Sequence, residues 1–379
     1  MAEAGHGENG EAERGTVRRI LNEHPDDRGP KRTARGGDTL SQRCGPEPRS
    51  GLMTSVAREE SPEVSVVIVT YRCREQAREC LASLYEATTG ISYEVVVLDN
   101  ASNDGTVEMI RSEFPEVRLV ALEENIGFGA GVNRAAGDAA GEFLLLLNPD
   151  TIVHPGTVER FVAFARSHPR HGIYGGRTLD PGGTVNPGSC WGRPTLWSLF
   201  CFATMLSTLF RGSRVFDPES LGRWQRDSVR EVDVVTGCLL LATREVWDEL
   251  GGFDTRFFMY GEDADLGFRA ANRGYSPVIT PDAVITHEIG ASSETRSDKL
   301  VLVYQSKAEL VRKHFGPVRR PLGLVLLWLG VGVRALLARR AGTRESRAAW
   351  PHVWRERKTW LAGYPESGPQ PAVPSAGAS

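Results

Sequence analysis

Residues 64–71 of this 379-residue chain read VSVVIVTY, and residues 93–100 read YEVVVLDN. Both are runs of β-branched residues that end in polar side chains, as strands buried on both faces do. The stretch between them, residues 74–86, is polar and compatible with a helix. Strand, helix and strand in this order predict a parallel pair joined by a crossover helix.

The same alternation continues along the chain. DGTVEMIRSEF and VNRAAGDAA have the pattern of helices, and VRLVALEE and EFLLLLNPD that of strands. The repeat predicts an α/β fold with a Rossmann-like, mostly parallel sheet flanked by helices. Beyond it we expect a strand over residues 232–243, helices over 244–250 and 262–273, and a strand over 276–287 that returns to the sheet.

Composition divides the chain into parts. Both ends are rich in Gly, Pro and polar residues without apolar periodicity, which predicts disorder. The predicted parts are a disordered leader over 1–61, a folded domain over 62–315 with halves 62–152 and 153–315, a basic amphipathic helical segment over 316–360, and a disordered tail over 361–379.

The net charge of −3 hides a basic region. Residues 311–358 contain twelve Lys or Arg against two Glu, a local charge of +10. Such a region favours an anionic partner such as lipid or a phosphate-bearing substrate, and a solvated surface is the alternative. The overall charge gives no indication of nucleic-acid binding.

Two apolar stretches, residues 194–210 and 321–338, are flanked by arginines. Both fall short of the roughly 20 residues expected of a membrane-spanning helix. The second fits a segment that lies in the headgroup region of an anionic membrane. For both, the alternative is a buried core helix.

The six cysteines occur singly, without a C-x-x-C pair, which favours a reducing compartment. The first residues contain no apolar h-region, so we expect no secretory signal peptide. Together these features predict a cytoplasmic location.

Polar residues follow each predicted parallel strand, and ligands of such sheets bind beyond the carboxyl ends of the strands. After the last of these strands, Asp150 could hold a divalent cation on a diphosphate, or it could cap a helix that begins near His154. His287 ends the returning strand and could join Asp150 at the metal, although a lone histidine is more often structural.

Three carboxylates occur together in the segment GEDAD, where a helix is expected to start. Asp265 is expected to pair with Arg269 one helical turn later. Glu262 and Asp263 follow the aromatic run FFMY, and a carboxylate against an apolar wall suits a general base.

A loop with glycines at positions 127, 129 and 131 precedes a predicted helix. Val132 stands where a dinucleotide fingerprint has its third glycine, which disfavours NAD. The loop could approach a phosphate or sugar closely, or it could be a tight turn.

Taken in order along residues 64–315, these motifs resemble those of glycosyltransferase family 2, the inverting enzymes with the GT-A fold, and in particular its rhamnosyltransferase-like bacterial members. The segments that carry the resemblance are VSVVIVTY, VVVLDNASNDGT, NIGFGAGVN, LLLLNPDT, TGCLLLATREVWDELGGFDTRFFMYGEDADLGFR and THEIG. The resemblance makes 62–152 the nucleotide-binding half, 153–315 the acceptor half and 316–360 a membrane-associated segment.

The resemblance also implies roles for single residues. Asp263 matches the catalytic base, with Glu262 as second choice, and Asp150 and His287 match the ligands of Mg²⁺ or Mn²⁺. Asn148 stands where many members have the first metal carboxylate. The positions implied in donor binding are Thr70, Tyr71, Asp99, Asn100, Asn125, Gly127, Asn133 and Asn148.

The implied activity is inverting transfer of a sugar from a nucleotide sugar, L-rhamnose from dTDP-rhamnose or a hexose from UDP. The implied acceptor is a polyprenyl-diphosphate-linked glycan or polysaccharide at the inner face of the cell membrane. The sequence leaves open a nucleotidyltransferase on a similar sheet, although TYRCREQ lacks the glycine-rich loop of that class, and a non-catalytic sugar-nucleotide binding protein.

Overall fold

A computed structural model describes residues 61–287, 296–341 and 343–364. Except for residue 61, the predicted leader lies outside the described residues, as do residues 365–379 of the predicted tail. Residues 361–364, which were assigned to the disordered tail, are placed: they complete the last helix and the turn after it. The domain boundaries otherwise stay predictions.

Strands and helices alternate through the first half. Within the described residues the strands are β1 Val64–Thr70, β2 Tyr93–Asp99, β3 Arg118–Ala121, β4 Phe143–Leu147, β5 Thr151–Val153, β6 Ile173–Leu179, β7 Cys190–Trp191, β8 Arg230–Glu231, β9 Val234–Val235, β10 Leu239–Thr243 and β11 Val278–His287. The helices are α1 Arg74–Ala87, α2 Thr106–Glu113, α3 Phe128–Gly137, α4 Thr157–Ser167, α5 Leu196–Ala203, α6 Leu206–Leu209, α7 Arg244–Leu250, α8 Glu262–Asn272, α9 Arg296–His314, α10 Arg319–Ala341, α11 Arg344–Arg355 and α12 Arg357–Ala362.

One central sheet has the strand order β3-β2-β1-β4-β10-β6-β11-β5, and β8 pairs with β11. Strands β3, β2, β1 and β4 run parallel, β10 is antiparallel to both of its neighbours, and β6 and β11 are again parallel. The predicted α/β fold with a mostly parallel sheet is therefore confirmed. The carboxyl ends of β1, β2 and β4 meet at one edge.

Alternate residues of β1 pack on opposite faces of the sheet, as the two-residue period of a strand requires. Val66 and Ile68 join the core formed with α1, α2 and α4, and Val67 and Val69 join the core formed with α3, α7 and α8. Both faces are covered by helices, which explains why the strand sequences are continuously apolar.

The expected single strand over 232–243 is wrong. The chain leaves the sheet between β9 and β10, because the Thr236 hydroxyl and backbone N–H both bind the carbonyl of Ser189. β9 pairs with β7 in a small second sheet, whereas β10 enters the central sheet. The strand expected to return to the sheet is confirmed as β11.

The helices after β11 form a separate apolar cluster with α5, centred on Leu199, Tyr304, Leu327, Val331 and Trp360. α10 packs along α5, where the buried Arg334 donates to the carbonyl of Phe202 at 2.6 Å and stacks on its ring at 3.7 Å. In the described part of the chain, α10 is the one helix long and apolar enough to cross a membrane by length and composition.

The apolar stretches 194–210 and 321–338 are only partly buried. The interpretation as buried core helices therefore accounts for one face of each stretch. The first is divided between α5 and α6 at Met205, whose φ is 66°. The apolar side chains left exposed on α5, α6 and α10 are Trp197, Phe200, Leu209, Leu322, Val325, Trp328, Leu329, Leu336 and Leu337.

Candidate active site

Thr70 and Asp99 lie opposite each other in the parallel register of β1 and β2. The Thr70 hydroxyl donates to Oδ1 of Asp99 at 2.9 Å, and the Ser102 backbone N–H donates to Oδ2 at 3.0 Å. The Ser102 hydroxyl also donates to Oδ1. Asp99 is buried, so these bonds satisfy its carboxylate and hold the turn after β2.

Tyr71 follows Thr70 at the carboxyl end of β1 and is half-buried. The guanidinium of Arg72 lies 5.1 Å from the centre of its ring. The Tyr71 ring therefore lies beside the strand ends, with the Arg72 guanidinium over its face.

Asn100 fixes the glycine loop over the strand ends. Its amide nitrogen donates to the Gly127 carbonyl at 3.1 Å, and its amide oxygen accepts from the Ile126 N–H at 2.9 Å. The Asn125 side chain accepts from the Gly127 N–H at 2.9 Å. The loop is thus a tight turn, as one interpretation expected.

The backbone at position 127 requires a glycine. Its φ is 87°, and a Cβ at this position would lie 2.5 Å from the carbonyl oxygen of Phe258. The next residue, Phe128, donates its N–H to the same oxygen at 2.8 Å. This close approach places the glycine loop against the segment that leads to Glu262.

The Asn133 side chain bonds to the loop after α7 and not to the strand ends. Its amide nitrogen donates to the Phe253 carbonyl at 2.7 Å, and its amide oxygen accepts from the Phe253 N–H at 2.8 Å. Both ends of the amide therefore join α3 to the loop after α7.

Asp150 and His287 are brought together. β5 pairs antiparallel with β11 in a register that sets His287 opposite Thr151. The distance from His287 Nε2 to Asp150 Oδ1 is 3.0 Å, and the two side chains are 16% and 22% exposed. The helix-cap interpretation of Asp150 is wrong, because α4 begins at Thr157 after Gly156.

Two opposing effects act on His287. Burial alone would lower the pKa of His287, but the hydrogen bond to Asp150 and the nearby Cys238 side chain outweigh it and raise this pKa to about 10. Asn148 lies beside this pair, with its backbone N–H bonded to the carbonyl of Cys238 at 3.2 Å.

Glu262 and Asp263 open α8, directly after Gly261. Glu262 is 5% exposed, and its Oε2 has no hydrogen-bond partner among the described residues. Burial, with the nearby charge of Asp263, raises the pKa of Glu262 well above its usual value. Asp263 is half-buried, and burial raises its pKa to about 6.

Gly237 and Cys238 lie between Asp263 and the Asp150–His287 pair. The Gly237 backbone N–H lies close enough to the Asp263 carboxylate to lower its pKa, and the adjacent Cys238 side chain lies close enough to His287 to raise its pKa. Asp263 and the Asp150–His287 pair therefore lie on either side of one dipeptide, next to the carboxyl end of β4. Sequence reasoning did not single out Cys238, whose only signal was TGC within an apolar run.

Asp265 has the structural role that the helical spacing predicted. Its carboxylate accepts from Arg269 at 2.7 Å and also contacts Lys313 at 2.6 Å and His314 at 2.7 Å. Its burial opposes ionisation, but these three partners lower the pKa of Asp265 to about 2. It has no exposed surface and takes no part in the cleft.

Asp150 and His287 are the candidate metal ligands. No group of three or more His, Cys, Asp or Glu side chains that could hold an ion is found within the described ranges. Asp150 offers a carboxylate, and His287 offers an imidazole once the binding of a cation displaces its proton. This pair fits Mg²⁺ or Mn²⁺ when substrate phosphate oxygens and water complete the coordination.

The chain is similar to known glycosyltransferases in sequence and in fold. Residues 65–223 match the model of glycosyl transferase family 2. The chain is 32% identical over 303 residues, 74% of its length, to N-acetylglucosaminyl-diphospho-decaprenol L-rhamnosyltransferase of Mycobacterium tuberculosis, of which 94% is covered. It is 29% identical over 235 residues to O-antigen biosynthesis protein RfbC of Myxococcus xanthus, covering 61% of this chain and 18% of that protein.

Among solved structures, one similar to this chain is the mannosyltransferase PcManGT from Pyrobaculum calidifontis in complex with GDP-Man and Mn²⁺. The TM-score is 0.46 at 20% identity, and the match covers 80% of this chain and 84% of that one.

Proposed function

The chain belongs to glycosyltransferase family 2, and we propose that it transfers L-rhamnose from dTDP-rhamnose, with inversion, to a hydroxyl of a polyprenyl-diphosphate-linked sugar. Family membership makes the protein a glycosyltransferase and selects this class over the nucleotidyltransferase and the non-catalytic binding protein that the sequence left open. The observation that carries the mechanism is the placement of Asp263 and the Asp150–His287 pair around Gly237 and Cys238.

In the proposed mechanism, Asp263 accepts the proton of the acceptor hydroxyl. The hydroxyl oxygen forms a bond to the anomeric carbon as the bond from that carbon to the diphosphate oxygen breaks. The nucleoside diphosphate leaves from the opposite face, so the configuration inverts. A pKa of about 6 suits Asp263 to this task, because it is ionised at neutral pH and still basic enough to take a proton.

Asp150 and His287 would hold a divalent cation against the donor diphosphate. When bound, the cation would neutralise the negative charge that develops on the leaving diphosphate. Glu262 is less suited to be the base, because its side chain is buried against Gly129 and only 5% exposed, which leaves little access for an acceptor hydroxyl.

We assign the remaining predicted donor-site residues to two roles. Tyr71 and Asn148 are partly exposed at the strand ends and would contact the donor. The others shape the cleft through the bonds described above, and Asn133 acts at a distance by fixing the loop after α7. The residues with this shaping role are Thr70, Asp99, Asn100, Asn125 and Gly127.

We also propose that the enzyme lies on the inner face of the cell membrane. α10 presents Leu322, Val325 and Leu329 outward, and arginines stand at both of its ends. Its opposite face is fixed to α5 through Arg334. A helix that is apolar on one side and attached on the other suits a position in the headgroup region of an anionic bilayer better than a span across it.

A direct assay tests the proposed activity. The purified protein is incubated with dTDP-L-rhamnose, Mg²⁺ or Mn²⁺ and a prenyl-diphosphate-linked N-acetylglucosamine, and the product is analysed by mass spectrometry and NMR. We expect a rhamnosylated lipid of inverted anomeric configuration and free dTDP. Transfer only from a UDP-hexose run in parallel would overturn the donor assignment, and release of pyrophosphate instead of a nucleoside diphosphate would overturn the reaction class.

A further inference from the structure

A cavity of about 400 Å³ lies outside the proposed catalytic cleft, between the carboxyl end of α9, the start of α10 and the turn after α12. Four cationic side chains line it, from Arg256, Arg312, Lys313 and Arg320, together with Glu309. Its size falls in the range of small-molecule sites, which is roughly 300–1,000 Å³. Its lining indicates an anionic ligand.

Internal ion pairs account for only part of this positive charge. Arg256 donates to Glu309 at 3.2 Å, and Lys313 contacts Asp254 and Asp265, each at 2.6 Å. Arg256 and Lys313 are therefore matched by carboxylates.

Arg312 and Arg320 are not matched in this way. Arg312 donates to the carbonyl of Leu361, and its Nε is buried without a hydrogen-bond partner in the described part of the chain. Arg320 is exposed in the first turn of α10 and forms no ion pair with a described residue. An unsatisfied buried N–H on a cation is costly, and a phosphate oxygen is a partner that would satisfy it.

On one side the cavity adjoins the catalytic segment. Tyr364 lines it, and the Tyr364 hydroxyl donates to the carbonyl of Met259 at 2.7 Å. The Tyr364 ring packs edge-on against Phe257 at 5.9 Å. Burial, with the nearby negative charge of Glu262, raises the pKa of Tyr364. Tyr364 therefore connects the cavity wall to the segment that leads to α8.

On the other side the cavity opens at Arg320, where the apolar outward face of α10 begins with Leu322 and Val325. A ligand held here would have cations around its head, an exposed apolar strip for a hydrocarbon chain on one side, and on the other Tyr364, which packs on the segment that leads to α8. That sequence of surfaces matches a sugar, a diphosphate and a lipid chain in the order in which a polyprenyl-diphosphate-linked sugar carries them.

We infer that this cavity binds the diphosphate of the lipid-linked acceptor, with Arg312 and Arg320 as its principal ligands. The inference rests on the proposed function and adds to it the site that recognises the acceptor. Two guanidinium groups suit a diphosphate because each can donate two hydrogen bonds in a fork. The donor diphosphate would occupy the separate site at Asp150.

The test compares Arg320→Gln with Arg319→Gln in detergent solution, without a bilayer. Both remove one positive charge from neighbouring exposed positions of α10, but only Arg320 lines the cavity. We expect Arg320→Gln to lower kcat/KM for the prenyl-diphosphate-linked acceptor about tenfold, because a charge-assisted hydrogen bond is lost. Arg319→Gln is expected to change it less than about twofold, as an exposed charge outside the site does.

Inhibition provides the second arm. Farnesyl diphosphate is added as an inhibitor that competes with the acceptor, in excess Mg²⁺. Farnesol, which has no phosphate, is the comparison. Arg320→Gln and Arg312→Gln should weaken inhibition by farnesyl diphosphate about tenfold and leave farnesol inhibition unchanged. The KM for the nucleotide sugar should stay at the wild-type value in each variant.

Three results would overturn the inference. These are equal effects of Arg319→Gln and Arg320→Gln, equal weakening of both inhibitors, or a change confined to the donor KM. If Arg312→Gln fails to fold, the surface variant Arg320→Gln decides alone. Absence of transfer by the wild-type enzyme to any lipid-linked sugar would instead contradict the proposed function, so the two failures are distinguishable.

Discussion

Nε2 of His287 lies 3.0 Å from Oδ1 of Asp150, although 137 positions separate the two residues in the chain. The contact arises from the antiparallel pairing of β5 with β11, which sets the last residue of β11 opposite the first residue of β5. Cys238 lies near the same histidine and raises its pKa, and the neighbouring Gly237 lies near Asp263 and lowers its pKa. This relationship places the proposed metal ligands and the proposed base in one region.

Replacing the proposed base separates chemistry from binding. Asp263→Asn should lower kcat by about 10²–10⁴-fold, the contribution typical of general-base catalysis, and leave the KM for the donor within about twofold. Glu262→Gln is the matched control, because it makes the same change one position earlier. Its effect should stay below about tenfold, since Glu262 is buried and is not the residue proposed to accept the proton. A larger loss in Glu262→Gln than in Asp263→Asn would reverse the assignment.

The pH dependence follows from the raised pKa of Asp263. The base must be ionised to accept a proton, so activity requires a pH above the folded-state pKa of about 6. Below that pH, kcat/KM should fall about tenfold per pH unit. The measurement is a pH profile of kcat/KM in wild type and in Asp263→Asn. An acidic limb that persists unchanged in the residual activity of the variant would show that another group titrates.

Removing the buried carboxylate of Asp265 should destabilise the fold without a direct effect on the reaction. Asp265→Asn leaves Arg269, Lys313 and His314 without their common anion, so the free energy of unfolding at pH 7 should fall by about 3 kcal/mol. The control is Glu249→Gln, which breaks an exposed pair with Arg273 at 3.4 Å and should cost less than about 1 kcal/mol. Denaturant unfolding provides the comparison.

The stability that Asp265 contributes should depend on pH in a definite direction. The folded-state pKa of Asp265 is lowered from 3.8 to about 2, so its stabilising contribution is complete above 3.8 and is lost as the pH falls through about 2. The difference in the free energy of unfolding between wild type and Asp265→Asn should therefore be constant near neutral pH and become smaller below pH 3.8. A difference that grows on acidification would contradict the ionic role.

Membrane association can be measured by sedimentation with liposomes. The wild-type protein should bind vesicles that contain an anionic lipid at low salt and dissociate at about 0.5 M salt, because surface charges are then screened. Leu329→Glu places a charge on the exposed apolar face of α10 and should weaken binding about tenfold. Ala348→Glu makes the same charge change at an exposed position of α11 and should have a much smaller effect. Equal loss in both variants would argue against a specific apolar contact.

The strand ends were predictable from sequence, because a continuous apolar run that stops at a polar residue marks the edge of a buried sheet. That is why Thr70, Asp99 and Asp150 fell at the correct edge. The contact between Asp150 and His287 could be expected from a strand that returns to the sheet, but its register could not, since β5 has three residues and leaves no periodic signal.

Other features depend on long-range bonds that have no local pattern. Asn133 stands beside the glycine loop in sequence, but its amide bonds to Phe253, 120 positions away. The break between β9 and β10 depends on the bond from Thr236 to Ser189, which no propensity reveals. Cys238 was missed for the same reason: its importance comes from residues that the fold brings to it.

The proposal that Asp150, His287 and Asp263 share one cleft is tested most directly by an anomalous difference map from crystals grown with Mn²⁺ and dTDP. We expect a manganese peak bound by Asp150 and His287 and by oxygens of the diphosphate, with Asp263 facing the space beyond the terminal phosphate. A manganese ion bound away from Asp150, or a diphosphate remote from Asp263, would contradict the proposed site.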